Sequence, residues 1–180
     1  MEFRPTALPG LIEIISPQLP DRRGGLTKIF EKESYDRAGI RMPCGEELYS
    51  VSHRNVIRGM HFQRPPQDHA KLVFCPAGHV LDVVVDLRTN SPTFRQSAAF
   101  ELGASNGRIL YIPSGFAHGF ASLADHSIMI YNISSGHSPE HSGGIRWDSF
   151  GFAWPIAAPI LSERDAAWMP LSEFHSPFSL

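Results

Sequence analysis

Residues 56–63, VIRGMHFQ, place three polar side chains inside an otherwise apolar, strand-forming run. Strand alternation puts His61 and Gln63 on one face and Arg58 on the other, unless a bulge at Gly59 breaks the pattern. A histidine and a glutamine facing the interior of a small barrel would line a polar cavity, and a buried arginine needs an anionic partner. A lone histidine in such a strand is otherwise more often a hydrogen-bonded core residue.

Three further side chains stand at strand ends or junctions. Lys71 opens the run Lys71–Cys75, His118 follows a Pro-Ser-Gly turn where a loop enters a strand, and Tyr131 ends an aliphatic run. Each has an ordinary structural interpretation. A strand-end lysine can point to solvent, and a strand-end tyrosine usually packs with its hydroxyl in water.

The sequence lacks the patterns of a metal site or a nucleophile. Barrel enzymes that bind a transition metal typically use His-x-His on one strand face with a carboxylate nearby. None of the nine histidines forms His-x-His, and Gln63 stands where a second ligand would follow His61. Cys44 and Cys75 show no metal-binding or disulfide spacing, and no GxSxG elbow or glycine-rich phosphate loop occurs. The metal-dependent alternative is therefore disfavoured.

Short strands must position these side chains. Fifteen glycines and fifteen prolines are spread along the chain, which favours short elements separated by turns. Ten segments rich in β-branched, aromatic and aliphatic residues are predicted as strands: Leu11–Ile15, Leu26–Phe30, Leu48–Val51, Val56–Phe62, Lys71–Cys75, His79–Leu87, Ser97–Leu102, Arg108–Ile112, Gly119–Leu123 and Ser127–Ile133. Helices are predicted at Lys32–Ala38 and from about Ser162. Such spacing is typical of an antiparallel sandwich or barrel.

The length and net charge of the chain further limit the class of protein to which it can belong. The 180 residues fit one domain with a real core. A net charge of −2 gives no bulk electrostatic reason to bind nucleic acid, so any anion must be held locally. The chain shows neither a run of about 20 apolar residues nor an apolar signal-peptide region at its start, so we expect a cytoplasmic location and no membrane partner.

Seven blocks in one order, from about Asp21 to Asp165, resemble the dTDP-4-dehydrorhamnose 3,5-epimerase family: RGMHFQ (58–63), KLV (71–73), DVVVDLR (82–88), SPTF (91–94), YIPSGFAHGF (111–120), GIRWD (144–148) and PILSERD (159–165). The resemblance implies an all-β, cupin-type jelly roll formed by residues 1–180. It also implies a homodimer that shares strands from about residues 1–50, a short helical segment at about 162–180, and no metal or organic cofactor.

The same resemblance implies an activity and its residues. The family epimerises a nucleotide-linked 4-keto-6-deoxyhexose at C3 and C5 through an enolate, in deoxysugar and lipopolysaccharide O-antigen biosynthesis. His61 falls at the general base, Asp165 at the carboxylate that orients it, Lys71 near the C4 oxygen, and Tyr131 at the proton donor of the far face. Positions that contact the sugar and diphosphate are matched by Arg23, Arg58, His118 and Arg164, with Gln63 facing the same cavity.

Some positions depart from the family pattern on the nucleotide side of the site. The chain has Lys28 where a glutamate is usual, Glu46 and Leu48 in place of a Gln-x-Asn pair, Ser142 in place of a glutamate and His137 in place of an aromatic residue. A glutamate near a diphosphate adds repulsion that Lys28 or a base amino group could offset. Lys28, Glu46 and Ser142 are therefore counted as substrate-binding candidates, and a CDP- or GDP-linked sugar stays open beside a dTDP-linked one. Inversion at one centre only, a ketoisomerase outcome and sugar-nucleotide binding without turnover also stay open.

Overall fold

The protein, described over residues 1–180 by a computed structural model, consists mainly of antiparallel strands. The strands are β1 Glu2–Pro5, β2 Ile12–Ile15, β3 Gln18–Asp21, β4 Gly24–Thr27, β5 Glu46–Ser52, β6 Ile57–Gln63, β7 Lys71–Ala77, β8 His79–Asp86, β9 Ser97–Gly103, β10 Arg108–Ile112, β11 Phe116–Ser122, β12 Ser127–Ile133 and β13 Ser142–Gly144. The helices are short: α1 Lys32–Arg37, α2 Glu163–Ala166 and 3₁₀ turns at Pro139–His141 and Leu171–Glu173. The prediction of an all-β fold is confirmed.

Two sheets face each other. The six-stranded sheet has the order β1-β2-β10-β7-β12-β5, the five-stranded sheet has the order β13-β6-β11-β8-β9, and β3 and β4 form a separate hairpin. From β5 to β8 and from β10 to β13 the chain crosses from one sheet to the other at each step, which is the jelly-roll arrangement. Consequently, residues close in sequence end up on opposite walls of the interior.

The five-stranded sheet is buried on both faces, which explains its nearly continuous apolar strands. Its inner face packs Val80, Val84 and Phe120 against Val73 and other residues of the six-stranded sheet. Its outer face packs against the C-terminal segment, and the participating residues include Met60, Phe62, Val83, Val85, Leu171, Phe174 and Phe178. The C-terminal segment therefore acts as an outer cover for the strand that carries His61.

The six-stranded sheet is covered on its outer face by α1. Tyr35 and Ile40 pack there against Ile14, Leu72 and Ile109. All ten predicted strands overlap observed ones, whereas β1, β3 and β13 were not predicted, because each has only three or four residues and β3 and β13 carry little apolar character. No helix is long and apolar enough to cross a membrane.

Candidate active site

A β-bulge at Gly59 determines which side chains of β6 face the interior. His118 pairs with His61 and Phe120 with Arg58, so three steps along β6 match two along β11. Gly59 has φ +141°, and a Cβ there would lie 2.6 Å from the Gly119 Cα, so only glycine fits without strain. Arg58 and His61 consequently line one cleft. Regular strand alternation would have put them on opposite faces of β6, and the bulge brings them to the same side.

His61 forms a pair with Asp165. The His61 Nε2 lies 2.6 Å from the Asp165 Oδ1, and the Gly59 N–H donates to the Asp165 Oδ2 at 3.2 Å. Asp165 sits on α2, where its own N–H donates to the capping Ser162 Oγ at 3.1 Å, as expected from the Ser-Glu-Arg-Asp start. The carboxylate is thus fixed from two sides before any substrate binds.

Electrostatics make His61 a suitable base. Burial raises the pKa of the Asp165 carboxyl, but hydrogen bonds from His61 and Gly59 outweigh it and hold that pKa below its usual value. Burial lowers the pKa of His61 below about 6.5, although Asp165 opposes this shift. Because an ionised carboxylate only accepts hydrogen bonds, the proton of neutral His61 stands on Nε2, and the other ring nitrogen keeps its lone pair.

Lys71 points into the interior, so the solvent-facing interpretation is wrong. Its Nζ donates to the backbone oxygen of His61 at 3.2 Å, which brings an ammonium from the six-stranded sheet beside His61. Burial lowers the pKa of Lys71 to about 8, and the negative charge of Asp82 opposes this shift. A buried ammonium with one protein acceptor has N–H groups available for an oxygen that gains charge.

Tyr131 stands on the wall opposite His61, on β12 of the six-stranded sheet. Its hydroxyl lies 3.3 Å from the Ser50 Oγ, and its ring meets that of His118 edge to face with centroids 6.1 Å apart. Burial raises the pKa of Tyr131, so the phenol keeps its proton at neutral pH. A neutral phenol facing a neutral imidazole across a cleft is an acid–base arrangement.

Asp82 is a residue that the sequence reasoning missed as a site member. It is fully buried on β8, and its Oδ2 lies 2.8 Å from the His118 Nε2, while its Oδ1 has no hydrogen-bond partner. Burial raises the pKa of Asp82. A carboxylate at an inward-facing position of the apolar strand HVLDVVVD is the signal that could have identified it, because buried acids are rare without a partner.

The cleft has a volume of about 480 Å³, within the range of ligand sites. Its walls include Arg58 and Arg164, and the two hydrogen bonds of Arg58 go to the neutral oxygens of Ser52 and Val51. The Arg164 Nε lies 3.8 Å from the Asp165 Oδ1, and its side chain is largely exposed. The guanidinium of Arg58 is therefore available to bind an anionic group.

Several candidates named from the sequence do not line this cleft in one chain. Gln63 shares the His61 side of β6, but its amide is bonded to two loops and does not line the cavity. Arg23 is 85% exposed on the β3–β4 hairpin and pairs with Asp21. Three further substrate-binding candidates, Lys28, Glu46 and Ser142, also lie outside the cleft lining. Leu48, which departs from the family pattern, does line the cleft.

Comparisons with known proteins agree on one family. The family model described as dTDP-4-dehydrorhamnose 3,5-epimerase matches residues 5–173. The enzyme of that name from Salmonella typhimurium is 37% identical over 166 residues, covering 90% of this chain and 91% of the relative. A 3,5-epimerase structure from Legionella pneumophila in complex with dTDP-4-keto-L-rhamnose has a TM-score of 0.91 at 32% identity, covering 97% and 94% of the two chains.

A second solved structure belongs to an enzyme that epimerises one carbon centre only. It is a 3′-monoepimerase from Streptomyces bikiniensis in complex with dTDP-quinovose, with a TM-score of 0.89 at 32% identity, covering 93% of this chain and 87% of the other. Two proteins that are about equally similar to this chain in fold and in sequence therefore differ in the number of carbon centres that they invert.

Proposed function

This chain belongs to the dTDP-4-dehydrorhamnose 3,5-epimerase family, and we propose that its cleft epimerises a dTDP-linked 4-keto-6-deoxyhexose with His61 as base and Tyr131 as acid. The fold is a cupin-type jelly roll, and the protein is a nucleotide-sugar epimerase, a carbohydrate-acting isomerase. The observation that carries the residue assignment is the position of His61 and Tyr131 on facing sheets, on opposite walls of one cleft.

The reaction requires these groups on opposite sides of the sugar. The C3 and C5 protons are acidic because the electron pair left by either proton delocalises onto the C4 oxygen. His61 takes the proton and becomes imidazolium, and the Lys71 ammonium stabilises the enolate oxygen. Tyr131 then gives its proton to the opposite face of the carbon, which inverts the centre, and both side chains return to their starting states by proton exchange with water.

The charges of the cleft support a diphosphate-linked substrate. Arg58 and Arg164 provide donors near the proton-transfer residues, and arginine suits bidentate contacts with phosphate oxygens. His118 lines the same cleft, with its Nε2 bonded to Asp82. Solved relatives carry TDP with pyrophosphate or dTDP-4-keto-L-rhamnose. No comparison favours a CDP- or GDP-linked sugar, so dTDP is the proposed nucleotide.

The cytoplasmic location expected from the sequence stays a prediction.

The test is isotope exchange. The protein is incubated with dTDP-4-keto-6-deoxyglucose in D₂O, and deuterium entry at C3 and C5 is followed by NMR, with CDP- and GDP-linked analogues in parallel. We expect exchange and inversion with the dTDP sugar, and loss of exchange in His61→Asn. Nucleotide-sugar binding without exchange would reject the catalytic proposal in favour of a binding protein. Unchanged exchange in His61→Asn would reject the base assignment.

A homodimer would explain the residues that lie outside the cleft. The β3–β4 hairpin exposes the cross-strand pair Leu19 and Leu26, and the edge strand β5 exposes Tyr49, so apolar surface is available for a second copy. In such a dimer, Arg23 would act in the partner's cleft. The N-terminal strands β1 and β2 here extend the chain's own sheet, and their sharing between subunits stays a proposal.

Subunit mixing tests the dimer. Arg23→Ala and His61→Asn are each expected to be nearly inactive. After dissociation and reassociation at equal amounts, half of the dimers are mixed and each regains one intact site, so about a quarter of wild-type activity returns. If Arg23→Ala is inactive and no activity returns, with both variants dimeric by light scattering, Arg23 acts in the site of its own subunit. If Arg23→Ala alone keeps wild-type activity, Arg23 acts in neither site.

A further inference from the structure

Gln63 joins two loops by its side-chain amide. It is only 4% exposed. Its Nε2 donates to the Gln67 backbone oxygen at 2.7 Å and to the Gly136 backbone oxygen at 3.3 Å, and its Oε1 accepts from the Ser138 N–H at 2.7 Å. Three of the four hydrogen bonds available to a primary amide are therefore used inside the protein.

The two loops connect the strands that carry the proposed base and acid. Residues 64–70 link β6, which holds His61, to β7, which begins with Lys71. Residues 134–141 link β12, which holds Tyr131, to β13, which pairs with β6. Both connections cross from one sheet to the other. They close the same end of the sandwich, because Ile133 pairs with Lys71 and Ser142 pairs with Gln63.

Further hydrogen bonds make this junction continuous. The Ala70 N–H donates to the Ser134 Oγ at 2.9 Å, and the Ser134 N–H donates to the Ala70 oxygen at 3.0 Å. The Arg64 N–H donates to the His141 oxygen at 2.8 Å. Among these contacts only Gln63 bonds to both loops with one side chain, so its amide sits at the centre of the connection between the two walls.

We propose that Gln63 is a positioning residue that holds the His61 wall and the Tyr131 wall at the separation needed for inversion. The inference rests on the proposed function and replaces the direct substrate contact expected for Gln63 from the sequence. Removal of a proton needs the base and the Lys71 ammonium, which is hydrogen-bonded to the His61 backbone oxygen at 3.2 Å. Inversion also needs the acid of the Tyr131 wall at the correct distance from the opposite side of the same carbon. A small change in wall spacing therefore affects inversion more than exchange.

The amide is the side chain that this junction requires. Two of its partners are carbonyl oxygens, which need donors, and the third is an N–H, which needs an acceptor. Glutamate has nearly the same shape, but its ionised carboxylate has no donor and would repel both carbonyl oxygens. Gln63→Glu consequently loosens the junction with little change in side-chain volume.

The experiment measures deuterium exchange and inversion in the same reaction with dTDP-4-keto-6-deoxyglucose in D₂O. For Gln63→Glu we expect the number of exchange events per inversion to rise about tenfold over wild type. A purely structural loss of folded enzyme would lower both rates equally and leave this ratio unchanged. Gln67→Glu is the matched control, because it makes the same chemical change at an exposed residue of the same loop, and we expect a wild-type ratio.

A milder variant covers the case in which Gln63→Glu does not fold. Ser134→Ala removes one hydrogen bond of the junction and keeps the Gln63 amide, and we expect a smaller rise of the ratio in the same direction. A wild-type ratio in every folded junction variant would overturn the inference. Absence of exchange in the wild-type protein would instead overturn the proposed function, so the two failures are distinct.

Discussion

His61 and His118 stand opposite each other as register partners of β6 and β11, and the Nε2 of each lies within hydrogen-bond distance of a buried aspartate. The two carboxyls differ in environment. Asp165 receives the Gly59 N–H and has its pKa lowered, whereas Asp82 has one unpartnered oxygen and has its pKa raised. The first pair leaves His61 with a free ring nitrogen, as the proposed base requires, and the second places negative charge close to the Lys71 ammonium.

Asp165→Asn removes the carboxylate that fixes the His61 tautomer. We expect kcat/KM for deuterium exchange to fall by about 100-fold or more. Because Asp165 raises the pKa of His61, its loss also moves the acidic limb of the pH profile to lower pH. Asp148→Asn, at a surface aspartate paired with Arg146, is the control. Equal rates for the two variants would remove Asp165 from the mechanism.

Exchange should follow a bell-shaped pH profile. The rate rises as His61 loses its proton, below about pH 6.5, and falls as the Lys71 ammonium loses its proton near pH 8. In Lys71→Arg the cation persists, so the residual activity should show no fall near pH 8. If that fall persisted in Lys71→Arg, another group would be responsible for the basic limb.

Asp82→Asn tests the electrostatic support of Lys71. The negative charge of Asp82 raises the Lys71 pKa, so its removal should lower that pKa further and shift the basic limb below pH 8. Asparagine keeps the shape and one carbonyl oxygen beside His118. The measurement is the pH profile of exchange over the range in which melting temperature is constant. An unshifted basic limb would show that Asp82 does not act on Lys71.

Tyr131→Phe should separate the two proton transfers. Removing the phenol leaves His61 able to take a proton and return it to the same face, so exchange continues while inversion falls by about 100-fold. Tyr111→Phe is the matched control, because Tyr111 packs on the outer face of the same sheet. NMR quantifies deuterated starting sugar against its epimers. Parallel loss of exchange and inversion would mean that Tyr131 does more than donate the second proton.

Gly59→Ala should destabilise the fold as well as the site. The new methyl would meet the Gly119 backbone at 2.6 Å at a backbone angle that other residues rarely adopt. We expect the free energy of unfolding in urea to fall by about 2 kcal/mol. Gly136→Ala, where nothing lies within 4 Å of the added Cβ, should stay close to wild type. Equal stability of both variants would contradict the proposed close packing of β6 on β11.

The strand segments could be predicted because alternation and β-branched residues are local properties. The family could be recognised because its sequence blocks, such as those that contain His61 and Lys71, are short and local. The residue types needed for proton transfer, including Tyr131, could likewise be read directly from the sequence. The contacts of the Gln63 amide could not be predicted from the sequence, for a physical reason. Its position on the interior side of β6 was correct, but whether an amide meets a ligand or two loops depends on chain segments up to 75 residues away.

The sequence by itself determined the strands, the family and the chemical types of the proposed acid and base. The tertiary structure decided that Gly59 carries a bulge, that Asp82 bonds to His118 close to Lys71, and which side chains share one cleft. His61 and Asp165 are 104 residues apart, and His118 and Asp82 are 36 apart, so these contacts depend on how the strands cross between sheets. Local propensity cannot specify such pairings, because burial and register act on the folded chain as a whole.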